Sequence, residues 1–173
     1  MSIQKLPEVW LRGPIENIPS FLQPIAHTLL QAKEEVNELM KDFPEELLWI
    51  KPAGAASAGF HLQHLRGVLD RLFTYANERA LSNEQLTALK AEGDPQQTTL
   101  TVSELVHAFN QQINSALKEL QQTNEQTLTE YRSVGRVHLP STVLGLLFHA
   151  AEHTMRHLGQ LIVTVKVVRD EEQ

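Results

Sequence analysis

Near the C-terminal end of the chain three histidines recur at every fourth residue: His149, His153 and His157 in "LLFHAAEHTMRHLGQL". Neutral imidazole is a ligand for zinc, nickel, iron or copper, so the spacing is a candidate metal site. Side chains four apart on a helix carry Cβ atoms about 5–6 Å from each other and can share one ion. His149 and His157 are separated by about 12 Å of helix rise and cannot both reach the same ion. The pair is therefore His149 with His153, or His153 with His157. A second group, His61 and His64 in "FHLQHLRGVLDR", offers the further ligand that a usable site needs. The chain has no cysteine, which removes thiolate ligands, disulfides and a cysteine nucleophile together.

Helices must position these residues. Proline and glycine concentrate in residues 7–24, 44–59, 93–95 and 135–140, and the stretches between them have helical periodicity. The pattern predicts a helix over residues 18–41 and another over 57–79, with Ser57 as N-cap. A short helical piece, "SNEQLTALKAE", follows Ser82. Thr101, with Glu104 three residues on, opens a third long helix through a capping box. The last helix is expected to begin near Pro140 and run to about residue 168. No segment alternates as a strand, and "RDEEQ" reads as a solvated tail. The expectation is an all-α four-helix bundle with a short additional helix, forming a single domain over residues 1–173.

On a helical wheel Val143, Leu147, Ala150, Thr154, Leu158, Leu161, Val165 and Val168 share the face that must turn inward. His157 falls inside the edge of that stripe, His153 about 40° further round, and His149 further out still. The pair His153 and His157 is favoured because neighbouring helices can supply further ligands there. In the second helix, Leu62, Leu65, Leu69, Leu72 and Phe73 set the apolar centre, which puts His61 slightly nearer the core than His64. His27, His107 and His138 stand alone and read as surface or packing residues.

Composition narrows the function classes. At 42% apolar and 21% charged residues the chain is ordinary for a soluble protein, and 173 residues suffice to bury a core. A net charge of -6 with interspersed signs argues against nucleic acid as partner. No apolar run approaches the roughly 18–20 residues of a membrane helix. "MSIQKLPEVWLRGP" lacks the pattern of a signal peptide, so the expected compartment is cytoplasmic.

At its histidine segments the chain resembles the DinB-like (DinB/YfiT) helical-bundle metalloproteins. "GFHLQHLRGVLDRLFTYA" is similar to that family's early-helix segment, and "HAAEHTMRHLGQL" to its H-x-x-x-H-x-G-Q pattern. The resemblance implies an up-down-down-up bundle with a divalent metal, zinc or nickel, on His64, His153 and His157. It selects His64 where the wheel leans toward His61. His61, His149 and Gln160 then become rim or supporting candidates around the ligands.

Three imidazoles with open positions suit a catalytic metal. Such an ion lowers the pKa of bound water toward about 7 or holds a thiolate as a Lewis acid. The resemblance implies a metal-dependent enzyme acting on a small-molecule substrate, either a thiol-dependent S-transferase or a hydrolase. The absent cysteine fits a low-molecular-weight thiol cosubstrate that brings the nucleophile. A non-catalytic metal-binding stress protein and a metal-free bundle are the other readings. Glu152 reads as a solvated charge, and Arg71 and Tyr75 as packing residues near enough to orient a substrate. The family also implies a homodimer, and in this chain Trp10, Trp49 and the proline-rich N-terminal arm are candidates to cover the apolar face.

Overall fold

The computed structural model describes residues 6–97 and 99–170. Its long helices are α1 (Gln23–Leu39), α2 (Ala58–Ala76), α4 (Val102–Gln122) and α5 (Val143–Asp170), with the short α3 (Asn83–Ala91) between α2 and α4. A hairpin of β1 (Tyr131–Val134) and β2 (Leu139–Thr142) leads into α5. The fold is an all-α bundle, as the periodicity predicts.

Local chemistry explains where the helices begin. Ser57 Oγ accepts the Phe60 N–H at 3.2 Å and starts α2. Ser82 with Gln85, and Thr101 with Glu104, form reciprocal capping boxes at the starts of α3 and α4. Each box satisfies N–H groups that have no partner inside the helix.

Cross-helix bonds fix the directions. Lys33 bonds Asn114 and Asn37 bonds Asn110, so α1 and α4 run antiparallel. His61 meets His157 and His64 meets His153, so α2 and α5 are antiparallel too. Asn77 near the end of α2 bonds Glu119 near the end of α4, which makes those two parallel. The order is up-down-down-up. Leu29, Val36, Leu62, Leu65, Leu69, Phe109, Ile113, Leu158 and Leu161 are fully buried at the centre. Every residue assigned to the inward stripe of the last helix is buried.

Four expectations need correction. A short antiparallel hairpin exists where no strand was expected, pairing Tyr131 with Thr142 and Val134 with Leu139. Pro140 belongs to β2 rather than to the helix start. An isolated two-stranded ribbon tolerates proline because it has open edges. The Thr142 hydroxyl, accepting the Gly145 N–H at 3.0 Å, opens α5 instead. The second helix stops at Ala76, three residues early, and Glu78 turns to φ 56° just beyond. Trp49, partly buried against the core, lies on Gly59, where any added Cβ would collide with its ring. Of the expected tail, Arg169 and Asp170 complete α5. Residues 171–173, like residues 1–5 of the N-terminal stretch, lie outside the described residues. Among the described residues no helix is long and apolar enough to cross a membrane.

Candidate metal centre

Antiparallel packing of α2 on α5 brings His64 against His153 and His157. One nitrogen from each lies within 4.8 Å of the other two. His64 Nε2 and His153 Nε2 are 3.0 Å apart. Ring centroids are 4.3 Å apart for His64 and His157, and 4.5 Å for His153 and His157. Two nitrogens bonded at about 2.0–2.1 Å to a single ion stand about 3.0–3.4 Å from each other. The observed spacing fits such an ion.

A carboxylate that the sequence did not single out holds the first ligand. Glu92, the residue that ends α3, places Oε2 2.7 Å from His64 Nδ1 and Oε1 2.6 Å from Arg71 Nη1. An ionised carboxylate only accepts, so His64 Nδ1 carries the hydrogen, and in the neutral ring Nε2 presents its lone pair. Carboxylate–histidine pairs of this kind orient metal-binding imidazoles and raise their basicity. Burial by itself raises the Glu92 pKa. The bonds from His64 and Arg71 outweigh it and hold the carboxyl below its ordinary range.

Room for the carboxylate comes from Gly67. A Cβ there would collide with Glu92 Oε1 and stand 2.6 Å from Arg71 Nη1. His64, Gly67 and Arg71 occupy i, i+3 and i+7 of α2, so one stripe carries ligand, gap and counter-charge. The turn after α3 is pinned by the Gly93 N–H, which donates to Gln63 Oε1 at 2.7 Å. Gly93 has φ +80°, and a Cβ on it would strike Phe60. Phe60 in turn stacks on His64, with centroids 5.2 Å apart and planes 12° from parallel.

Electrostatics keep the cluster in the form that binds cations. Burial, together with the nearby His157 and His64, pushes the His153 pKa down to about 4. His157 is also lowered, first by burial and then by His64 and Arg156, against the opposing pull of Glu92. These two imidazoles are neutral at pH 7 and need shed no proton to bind a metal. His153 Nδ1 is buried with no hydrogen-bond partner among the described residues. An unsatisfied polar atom of this kind costs about 1–3 kcal/mol, which metal ligation at the same ring is able to offset. The set is able to hold a divalent ion.

The other sequence candidates separate clearly. His61 is buried, as its wheel position indicated, but it meets His157 Nδ1 through its own Nδ1 at 3.3 Å and stands outside the ligand cluster. Burial, then His157 and His64, push its pKa down to about 4. His149 is exposed and sits beside Glu152, with its Nδ1 3.3 Å from Glu152 Oε2. Gln160 is exposed, one turn beyond His157 on α5. Arg71 is buried on Glu92, so its role is to brace the carboxylate. Tyr75 packs against the core. His27 bonds Gly13 O, His107 bonds Gln111, and His138 bonds Ser133 in the hairpin, each apart from the cluster.

Glu92 was illegible because its segment has no periodic signal linking it to the second helix. The only local hint is the "EGDP" break that returns the chain toward α2. Two clefts, of about 630 and about 590 Å³, adjoin the far end of α2 around Phe73 and Tyr75. Phe73 lies nine residues past His64, about 13 Å of rise, so a ligand in either cleft is remote from the histidines.

The family model of the DinB superfamily matches residues 28–161, a span that includes all three clustered histidines. No curated protein matches the chain.

Proposed function

This chain belongs to the DinB superfamily, and on that premise we propose that it binds one divalent ion, zinc or nickel, through His64, His153 and His157. We propose further that it is a metal-dependent enzyme, a thiol-dependent S-transferase working on a small electrophilic substrate. The 3.0 Å approach of His64 Nε2 to His153 Nε2, with Glu92 bonded behind His64, is the observation that carries the reading.

When bound, the ion supplies Lewis acidity, lowering the pKa of a thiol or water that reaches it. The chain's own residues do the rest. Glu92 keeps the hydrogen of His64 on Nδ1 and aims its Nε2. Arg71 fixes the second oxygen of that carboxylate and keeps it ionised. Phe60 lies flat on His64 and limits water on that side. The three imidazoles are partly exposed, which leaves a small molecule a route to them. With no cysteine in the chain, the nucleophilic sulfur must come from a low-molecular-weight thiol.

The whole chain is read as one domain and as a homodimer. Exposed Trp10, Phe21 and Phe148 support the pairing, which sedimentation measurements test. The functional test is metal analysis of untagged protein, followed by a screen of small thiols against electrophiles. We expect about one ion per chain, lost in His153→Ala, and conjugation that requires both metal and thiol. Absence of stoichiometric metal would overturn the site. Turnover of esters without thiol would replace the transferase reading by a hydrolase, and no turnover of either kind by a metal-binding role alone.

A further inference from the structure

His153 belongs to two ligand sets. Besides the inner set with His64 and His157, it forms an outer one with His149 and Glu152, whose ligand atoms also lie within 4.8 Å of one another. The outer residues sit at i, i+3 and i+4 on α5, all on one face. His149 is exposed and Glu152 half-buried, and His153 and His157 follow toward the core. The His149 and His153 ring centroids are 5.2 Å apart, and His153 and His157 follow at 4.5 Å. The ladder therefore leads from water to the inner site in steps shorter than a helical turn.

We propose that His149 and Glu152 form a capture site through which the ion enters and leaves. This rests on the metal-binding reading above. A hydrated dication meets the exposed His149 imidazole and the half-buried Glu152 carboxylate first, and His153 supplies the third ligand. The ion then shifts inward along α5 as the His153 ring turns about its own side-chain bonds. During that move His153 stays bound while His149 and Glu152 are exchanged for His64 and His157. Two ligands leave and two arrive, so no step requires a bare ion. Charge favours pick-up from solution, since the outer set contains a carboxylate, and the inner set then offers three imidazoles. Arg156 also bonds Glu152, with an exposed guanidinium that restrains the carboxylate until a cation displaces it.

A group touched only in passage changes uptake and release by the same factor and leaves the equilibrium alone. The test mixes metal-free protein with cobalt(II), follows visible absorption, and then removes the ion with excess chelator. His149→Ala is expected to slow both rates several-fold with affinity and stoichiometry unchanged. His107→Ala, on α4, is the control and is expected to match the wild type. Unaltered rates in His149→Ala would overturn the capture site while leaving the inner site standing. Weaker affinity with intact uptake would overturn it too, by making His149 a resident ligand. A wild-type protein that binds no cobalt would overturn the metal reading and this inference with it.

Discussion

Glu92 Oε2 lies 2.7 Å from His64 Nδ1, while Nε2 of the same ring meets His153 at 3.0 Å. One side chain from the end of a short helix thus sets the hydrogen position and the aim of a ligand on a long one. The consequence is measurable. Glu92→Gln preserves shape but removes the charge that fixes the imidazole, and it is expected to weaken metal affinity about 10–100-fold. Competition against a chromophoric chelator reads this directly. Unchanged affinity would remove Glu92 from the account.

Gly67→Ala tests the same relationship through space rather than charge. Alanine is the better helix former by about 0.8–1 kcal/mol, so α2 itself does not suffer. The new methyl group takes the place of Glu92 Oε1. The expected result is intact helical circular dichroism with an affinity loss that parallels Glu92→Gln. Wild-type affinity in this variant would mean that the carboxylate has another way in.

His61 and His64 divide the two readings of α2. His64→Ala is expected to lose the ion. His61→Ala is expected to keep one ion per chain and to cost about 1–3 kcal/mol of stability, as removal of a buried packed side chain does. Metal analysis and urea unfolding on both variants decide it. The reverse pattern would return the ligand role to His61.

The pH dependence of the metal-free protein has a definite sign. His61 and His153 titrate at about 4 in the folded chain, against an ordinary value of 6.5. Between those values the unfolded chain binds protons that the folded chain refuses, so stability rises with pH there. Unfolding free energy is expected to be flat above about 6.5 and to fall steadily as pH drops toward about 4. Glu92, lowered from its own ordinary value, acts in the same sense at more acid pH. Denaturation curves at half-unit pH intervals test this, and a flat profile between pH 7 and 5 would contradict it.

Metal should stabilise the fold in proportion to its occupancy. Free ion at a hundred times Kd adds about 2.7 kcal/mol, which for a chain of this size raises Tm by about 5–10 °C. Scanning calorimetry with and without zinc measures the shift. No shift at saturation would be incompatible with an ion held by three native-state ligands.

Periodicity alone carried much of this. The apolar stripe of the last helix, from Val143 to Val168, is buried as its spacing requires, because a helix buries the face its sequence makes apolar. Helix rise alone separates His149 from His157, and the capping residues Ser57, Ser82 and Thr101 stand where their hydroxyls were expected. The wheel also placed His61 deeper than His64, correctly. Depth, however, is not aim. Which histidine of α2 joins the α5 pair depends on how two antiparallel helices are rotated about their axes, and no single helix encodes that rotation. Glu92, Arg71 and Gly67 meet only because α3 folds back on α2, a contact with no periodic trace. The hairpin that displaces Pro140 from the helix start is likewise a pairing between strands too short to alternate visibly. Sequence determined the helices and the histidines they carry, because those depend on neighbours along the chain. Tertiary packing decided which nitrogens face one another, because that depends on neighbours across it.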